Sequence, residues 1–169
     1  LGDFQIDNLK TALQIVFLLD RITKIDAIKI GIEKTNLKGR MELIRKHPPV
    51  YFDVGHNPMA IKKLLKNIIS MYPDLKVNII IALKKDKDYK TIGKILEEVN
   101  GRIYVYPMKN RGFRKSKELV KYWSENNKLK IQEMEHLENI IDNNKQKEAV
   151  WVITGTHGLA NMVKNSFYN

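Results

Sequence analysis

An α/β fold, Rossmann-like, with a mostly parallel sheet and helices on both faces, is what this sequence predicts, and three observations carry the expectation. From Val50 onward the chain switches regularly between short runs of β-branched and aromatic residues and longer stretches with apolar residues three and four apart. The short runs are nearly continuous in apolar residues, as strands buried on both faces require. They end in polar, glycine-bearing turns that open a helix, most clearly at Val50-Tyr51-Phe52-Asp53-Val54-Gly55-His56-Asn57-Pro58. This rhythm implies right-handed βαβ crossovers.

A short helical segment is expected to precede the sheet. Residues 8–20 place Leu9, Leu13, Val16 and Phe17 at helical spacing, with Ala12 and Leu19 widening the stripe and Asp7 or Asn8 available as cap. A second helix, about 26–34, carries Ala27, Ile28, Ile30 and Ile32. Two short helices make a poor core, so 1–40 reads as the tail of a neighbouring domain and a hinge, and 41–169 as the α/β domain. Met41, Leu43 and Ile44 alternate as a linker or edge strand would. Strands are then expected over 50–54, 77–83, 103–106, 129–132 and 150–154, and helices over 59–71, 89–99, 115–126, 135–146 and 158–166. Gly55 allows the tight turn after the first strand, and Asn57-Pro58 supplies an N-cap and first helical residue. The expected core is Phe52, Ile61, Leu65, Ile79, Ile81, Ile92, Leu96, Val105, Leu119, Trp123, Ile140, Val152 and Ile153.

At 169 residues and 43% hydrophobic, the chain can build one compact core. It opens on Leu1 rather than Met, which suggests a fragment or processed chain. No run approaches the roughly 18 apolar residues of a membrane span, and no signal-peptide pattern is visible, so a soluble, cytoplasmic protein is expected. Without cysteine there are no disulfides or thiolate metal sites; the four histidines are scattered, and no metal site is expected. The net charge of +11 invites a nucleic-acid reading. Its distribution argues against one: 24 of the 30 cations are Lys, spread along the chain and interleaved with acids such as Glu97-Glu98, Glu133, Glu135 and Glu138. Dense basic clusters occur only at Lys84-Lys85-Asp86-Lys87 and at Lys109-Asn110-Arg111-Gly112-Phe113-Arg114-Lys115. A solvated surface is the better reading, although a basic balance would also suit a polyanionic small substrate.

Neither phosphate-cradling pattern, G-x-x-x-x-G-K-[ST] or G-x-G-x-x-G, is present, and there is no G-x-S-x-G elbow. Chemistry is left to three polar strand ends: Asp53 to Asn57, Lys84 to Asp88, and Thr154-Gly155-Thr156-His157-Gly158. In a parallel sheet these point the same way and could share one cleft, whose helix N-termini favour anions. Each also has an ordinary structural use. Asp53 could cap its turn beside an exposed His56, Asp86 and Asp88 could cap the next helix, and Thr156 could be an N-cap.

The order Gly39-Arg40-Met41-Glu42, Asp53-Val54-Gly55-His56-Asn57-Pro58, Lys85-Asp86-Lys87-Asp88 and Thr154-Gly155-Thr156 resembles the folylpolyglutamate synthase and dihydrofolate synthase family of Mur-type ligases. The family forms are G-R-x-E, D-[GV]-[AG]-H-N-P, x-D-K-D and [TC]-G-S, and Gln5 to Asn8 falls on an H-Q-x-x-N-A pattern, with Phe4 in place of its His and Leu9 in place of its small residue. Thr156 keeps a hydroxyl where Ser is common. The resemblance implies a C-terminal ligase domain preceded by the last helices of an ATP-binding central domain, with ATP and Mg2+ bound mainly by that upstream domain of the same polypeptide.

It further implies an amide ligase that adds L-glutamate to folate or dihydropteroate through an acyl-phosphate. Asn8, Arg40 and Asp53 would contact ATP, and His56 would stand at the acyl-phosphate and the glutamate amine. Asp86, Lys87, Asp88 and Thr156 would serve the glutamate site. The 169 residues alone would then be inactive. The rival expectations are a Mur ligase of peptidoglycan synthesis and a non-catalytic basic α/β module that binds RNA or another polyanion.

Overall fold

The computed structural model of the chain describes residues 3–19, 24–35, 37–134, 141 and 149–168. It divides into two compact units, residues 1–38 and 39–169. The first holds helices α1 (Asp3–Leu18) and α2 (Ile25–Lys34). Because α1 begins at Asp3, Asp7 and Asn8 lie inside it and do not cap it. Asp and Asn cost only a few tenths of a kcal/mol in a helix interior, so a potential cap does not oblige a helix to start there. Asp7 meets Lys10 at 3.5 Å, and its carbonyl accepts a bond from the Thr11 hydroxyl at 3.1 Å. Leu9, Leu13 and Val16 are half-buried, whereas Phe17 and Leu18 are exposed.

Among its described residues the second unit has six strands: β1 (Glu42–Arg45), β2 (Val50–Phe52), β3 (Lys76–Ile81), β4 (Ile103–Val105), β5 (Ile131–Glu133) and β6 (Ala149–Thr154). They lie in the order β1-β2-β6-β3-β4-β5. β1 is an edge strand, antiparallel to β2 with an irregularity between Leu43 and Arg45; every other pairing is parallel. β6 is the central strand, pairing Val50 with Trp151 on one side and Ile79 with Val152 on the other, and all six of its residues are buried. A strand covered on both faces has no reason to alternate polar with apolar, which explains the run Ala149 to Ile153.

Helices α3 (Pro58–Met71), α4 (Tyr89–Leu96) and α5 (Ser116–Asn126) cover one face, where Ile61, Leu64, Leu65, Ile92, Leu96, Leu119 and Trp123 pack with Val77, Ile79, Ile81 and Val152. Full burial of each such side chain contributes about 1.5–3 kcal/mol. The other face buries Phe52, Ile80, Tyr104, Trp151 and Ile153 against Leu159 and Val163, from a 3-10 turn (His157–Leu159) and helix α6 (Ala160–Phe167). The helix expected over 135–146 and its core residue Ile140 lie outside the described residues; Ile141 is described and buried. Every other expected core residue is buried. Element ends move by a few residues from expectation: the last parallel edge strand begins at Ile131, and α4 stops at Leu96 in tight turns in which Glu97 and Val99 donate to Lys94 and Leu96. No helix among the described residues is long and apolar enough to cross a membrane.

Candidate functional site

Because β2, β6 and β3 are neighbours and parallel, their carboxyl ends emerge side by side. After β2 the chain turns at Asp53, which is 3% exposed. One carboxylate oxygen accepts from Gly55 N at 2.7 Å; the other accepts from Met41 N at 2.9 Å, twelve residues away. Asp53 therefore ties residues 39–41, the segment that the sequence predicts as a hinge, to the strand end. Met41 has a φ of 50°, a left-handed conformation that costs a non-glycine residue roughly 1–3 kcal/mol unless its surroundings hold it. The hinge is secured twice more: Val54 N donates to Gly39 O at 2.9 Å, and Gly39 N donates to Glu42 Oε2 at 2.6 Å. The other Glu42 oxygen accepts from the Tyr168 hydroxyl at 2.6 Å.

Burial raises the Asp53 carboxyl above its usual range; the two N–H bonds and the positive field of Arg40 oppose that rise without cancelling it. Arg40, exposed at the hinge, thus acts on the Asp53 carboxylate. His56 is exposed next to this clamp, with Nδ1 3.1 Å from Val54 O. With the proton on Nδ1, that bond orients the ring and leaves Nε2 as an acceptor. Asn57 caps α3 by accepting from Ala60 N at 2.8 Å, with Pro58 at the first turn, as the sequence predicts.

The turn after β2 is tied to the turn after β6 through one carbonyl. Gly55 O accepts from Gly155 N at 2.8 Å and from the buried Thr154 hydroxyl at 3.1 Å. Gly155 has a φ of 101°, and a Cβ there would run into Ala82 O, so this position admits only glycine without strain. Thr156 is buried, and its hydroxyl oxygen accepts from Gly158 N at 3.0 Å, capping the 3-10 turn.

The loop after β3 makes a different set of bonds. Lys84 bridges Phe113, Lys85 N donates to Gly112 O at 3.1 Å, and Arg114 N donates to Leu83 O at 2.9 Å. The Arg114 guanidinium lies 4.0 Å above the Tyr89 ring and donates to Lys85 O. The two basic clusters of the sequence are therefore one surface. Asp88 caps α4 by accepting from Thr91 N at 3.0 Å, and Asp86 pairs with Lys87 at 2.9 Å. Hydrogen bonds, from Thr91 to Asp88 and from Lys87 to Asp86, hold both carboxyls below their usual range.

Of the residues singled out from sequence, Arg40 and Asp53 are brought together, His56 lies on the turn that Asp53 closes, and that turn is bonded to the loop carrying Thr156. Asp86, Lys87 and Asp88 sit on the loop joined to residues 110–114. Asn8 is exposed on α1 and belongs to the first unit. Sequence reasoning gave no role to Glu42, Thr154 or Arg114. Glu42 and Thr154 stood inside recognised motifs, but their partners, Gly39 N, Tyr168 and Gly55 O, are visible only in the fold. Among the described residues no three His, Asp or Glu side chains gather as a metal ion needs, and no metal ligand is assigned.

An open α/β sheet covered on both faces, with polar turns at the carboxyl ends of three adjacent parallel strands, defines a domain of the doubly wound class, in which ligands generally bind at those ends. Residues 39–157 match the family model described as Mur ligase, glutamate ligase domain, and the chain belongs to that family. It is 26% identical over 131 residues to the dihydrofolate synthase/folylpolyglutamate synthase of Bacillus subtilis, covering 78% of this chain and 30% of that protein. Its fold is that of a Mycobacterium tuberculosis folylpolyglutamate synthase complexed with ADP and AMPPCP, with a TM-score of 0.86 at 22% identity, over 99% of this chain and 41% of that one. A bifunctional folylpolyglutamate synthase/dihydrofolate synthase from Yersinia pestis, complexed with AMPPNP and a Mn ion, superposes with a TM-score of 0.80 at 20% identity, over 94% of this chain and 38% of that one. The chain thus spans well under half the length of these relatives.

Proposed function

We propose that this chain is the C-terminal part of an ATP-dependent acid–amino-acid ligase that adds L-glutamate to folate or dihydropteroate through an acyl-phosphate. Residues 1–38 would then belong to the end of an ATP-binding domain carried by the same polypeptide, and the protein would work in the cytoplasm. The observation that carries this reading is the Asp53 clamp, which binds the hinge at Met41 and the turn at Gly55 with one carboxylate and sets Arg40 beside it. A hinge fixed in this way delivers a guanidinium, a fork that stays charged and binds phosphate bidentately, to the rim of the sheet where an anionic nucleotide binds.

Asp53 accepts one N–H on each oxygen, and each oxygen keeps a second lone-pair direction for a ribose hydroxyl. His56 would take a proton from the glutamate amine through Nε2 as the amine attacks the acyl carbon and phosphate departs. Thr156, Asp86, Lys87 and Asp88 would hold the incoming glutamate, and Asn8 would contact ATP from the first unit. Magnesium, when bound by an upstream domain, neutralises phosphate charge; no residue here is given to it.

The test is His56→Ala in the full-length protein, assayed with ATP and glutamate against dihydropteroate and tetrahydrofolate separately. Turnover should fall by about 10²–10³, within the range for a lost general base, with unfolding free energy changed by less than about 0.5 kcal/mol because the side chain is exposed. Near-normal turnover removes His56 from the mechanism. Failure of the unsubstituted protein with both acceptors removes the folate reading.

A further inference from the structure

A cavity of about 180 Å³ lies at the other end of the sheet, lined by Lys76, Asn78, Asn100, Gly101, Arg102 and Lys130. Lys76 opens β3, Arg102 precedes β4 and Lys130 precedes β5, so the cavity collects the amino-terminal ends of three parallel strands. Its volume is far above the roughly 15 Å³ that one water needs. Three of its six lining residues are cationic and none is acidic. The ion pairs found among the described residues, Lys10 with Asp7 and Lys87 with Asp86, use none of the three.

Asn78 gives the cavity a second, independent feature. It is 1% exposed, on a strand whose other buried residues are Val and Ile, and its Nδ2 has no hydrogen-bond partner. The orientation of the amide is fixed, because Oδ1 accepts from Arg102 N at 2.9 Å and an NH2 group in that place would face another donor. The orphan is thus a donor, and it calls for an oxygen with lone pairs. Gly101 makes room for this arrangement: a Cβ there would come within 2.6 Å of Asn78 Oδ1 and collide with Val77 O. Asn100 supports the same corner from outside, its Oδ1 accepting from Val77 N at 2.9 Å. A buried, unsatisfied donor is costly and is retained where something regularly accepts from it.

We propose that this cavity binds a small phosphate-type oxyanion, with Asn78 Nδ2 as its buried donor and Lys76, Arg102 and Lys130 supplying the opposing charge. The site lies at the opposite end of the strands from Asp53 and His56, so it is separate from the ligase reading and does not depend on it.

The probe is inorganic phosphate, titrated at constant ionic strength into the protein while the Asn78 side-chain amide is followed by 15N NMR. A saturable shift at Asn78 is expected with phosphate and not with chloride. Asn78→Asp keeps the acceptor for Arg102 N but replaces the donor with a negative oxygen, and should weaken binding at least tenfold. Should that variant misfold, Arg102→Gln with Lys130→Gln, both at exposed positions, should weaken it at least tenfold while the fold persists. A small phosphomonoester titrated in parallel separates the two sources of the oxyanion: tighter binding than inorganic phosphate points to the ester, and weaker or equal binding to the free ion. A shift that rises linearly without saturating, or that chloride reproduces, overturns the proposal and leaves water as the partner of Nδ2.

Discussion

Asp53 and Asp88 both follow a buried parallel strand and both accept from backbone N–H groups, yet the two carboxylates do different work. Asp88 is exposed and caps its own helix three residues on, so its bond is local and its carboxyl is held below the usual range. Asp53 is buried and joins two segments twelve residues apart, so its bonds are non-local and burial raises its carboxyl. A cap can be lost to solvent, which takes over the freed N–H. A clamp cannot, because water that satisfies a freed N–H does not tie the two segments together. One acid therefore shapes a helix end, and the other sets the position of the whole hinge, including Arg40.

The largest expected effect breaks the clamp. Asp53→Ala leaves the N–H groups of Met41 and Gly55 without acceptors, at about 1–3 kcal/mol for each group that stays buried, so a loss of roughly 2–4 kcal/mol in urea unfolding is expected. A loss under 1 kcal/mol would mean that the hinge is held by Glu42 and Val54 instead. Asp53→Asn sharpens the point through pH. The folded wild-type carboxyl binds its proton more tightly than the ordinary 3.8, so its contribution is full below that value and is lost as pH rises through the folded value. The stability of wild type relative to Asp53→Asn should therefore decline as pH rises from the acid side. A relative stability that climbs instead would show that the N–H bonds and Arg40 outweigh burial.

On the exposed side the effects are smaller and unequal. Asp88→Ala removes an N-cap acceptor and should lower the urea unfolding midpoint, whereas Asp86→Ala should leave the midpoint where it is, because an exposed ion pair with Lys87 contributes little. Equal losses in urea unfolding would mean that the pair, not the cap, organises the loop.

How much of this was legible in the sequence depends on whether the information is local. The strand runs at Val77 and Val150, the cap at Asn57-Pro58 and the polar strand ends are local patterns, and each reads correctly because period and turn chemistry are set by neighbours in sequence. That three polar strand ends leave the sheet on the same side followed from parallel topology; that β2, β6 and β3 are neighbours is set by the strand order. What stayed hidden needed partners far along the chain: Gly55 O accepting from Thr154 and Gly155 ninety-nine and a hundred residues on, Glu42 reaching Tyr168, and two basic clusters joined by the Lys84–Phe113 bridge. The start of α1 was misread for the opposite reason. Asp7 and Asn8 offered a local cap that the helix passed over, since a helix gains from continuing upstream whenever its next residue permits.

Tyr168 tests how far the hinge depends on anything besides Asp53. Its hydroxyl donates to the same Glu42 whose other oxygen holds Gly39 N, so it could be a third support for the hinge. Burial, and then the Glu42 carboxylate, raise its hydroxyl from 10.0 to about 12. The folded state binds that proton more tightly than the unfolded chain does, so the bond's contribution is complete below pH 10 and disappears as pH rises to about 12. Because the ring is half exposed, Tyr168→Phe should cost no more than about 0.5 kcal/mol at neutral pH once solvent screening is discounted. The difference absorbance of wild type and variant should show one tyrosine titrating near 12, and hydrogen exchange at Met41 N, which Asp53 holds, should stay unchanged. Faster exchange at Met41 in the Phe variant would make the hinge a shared load, and the contrast between a non-local clamp and its local neighbours would then be one of degree.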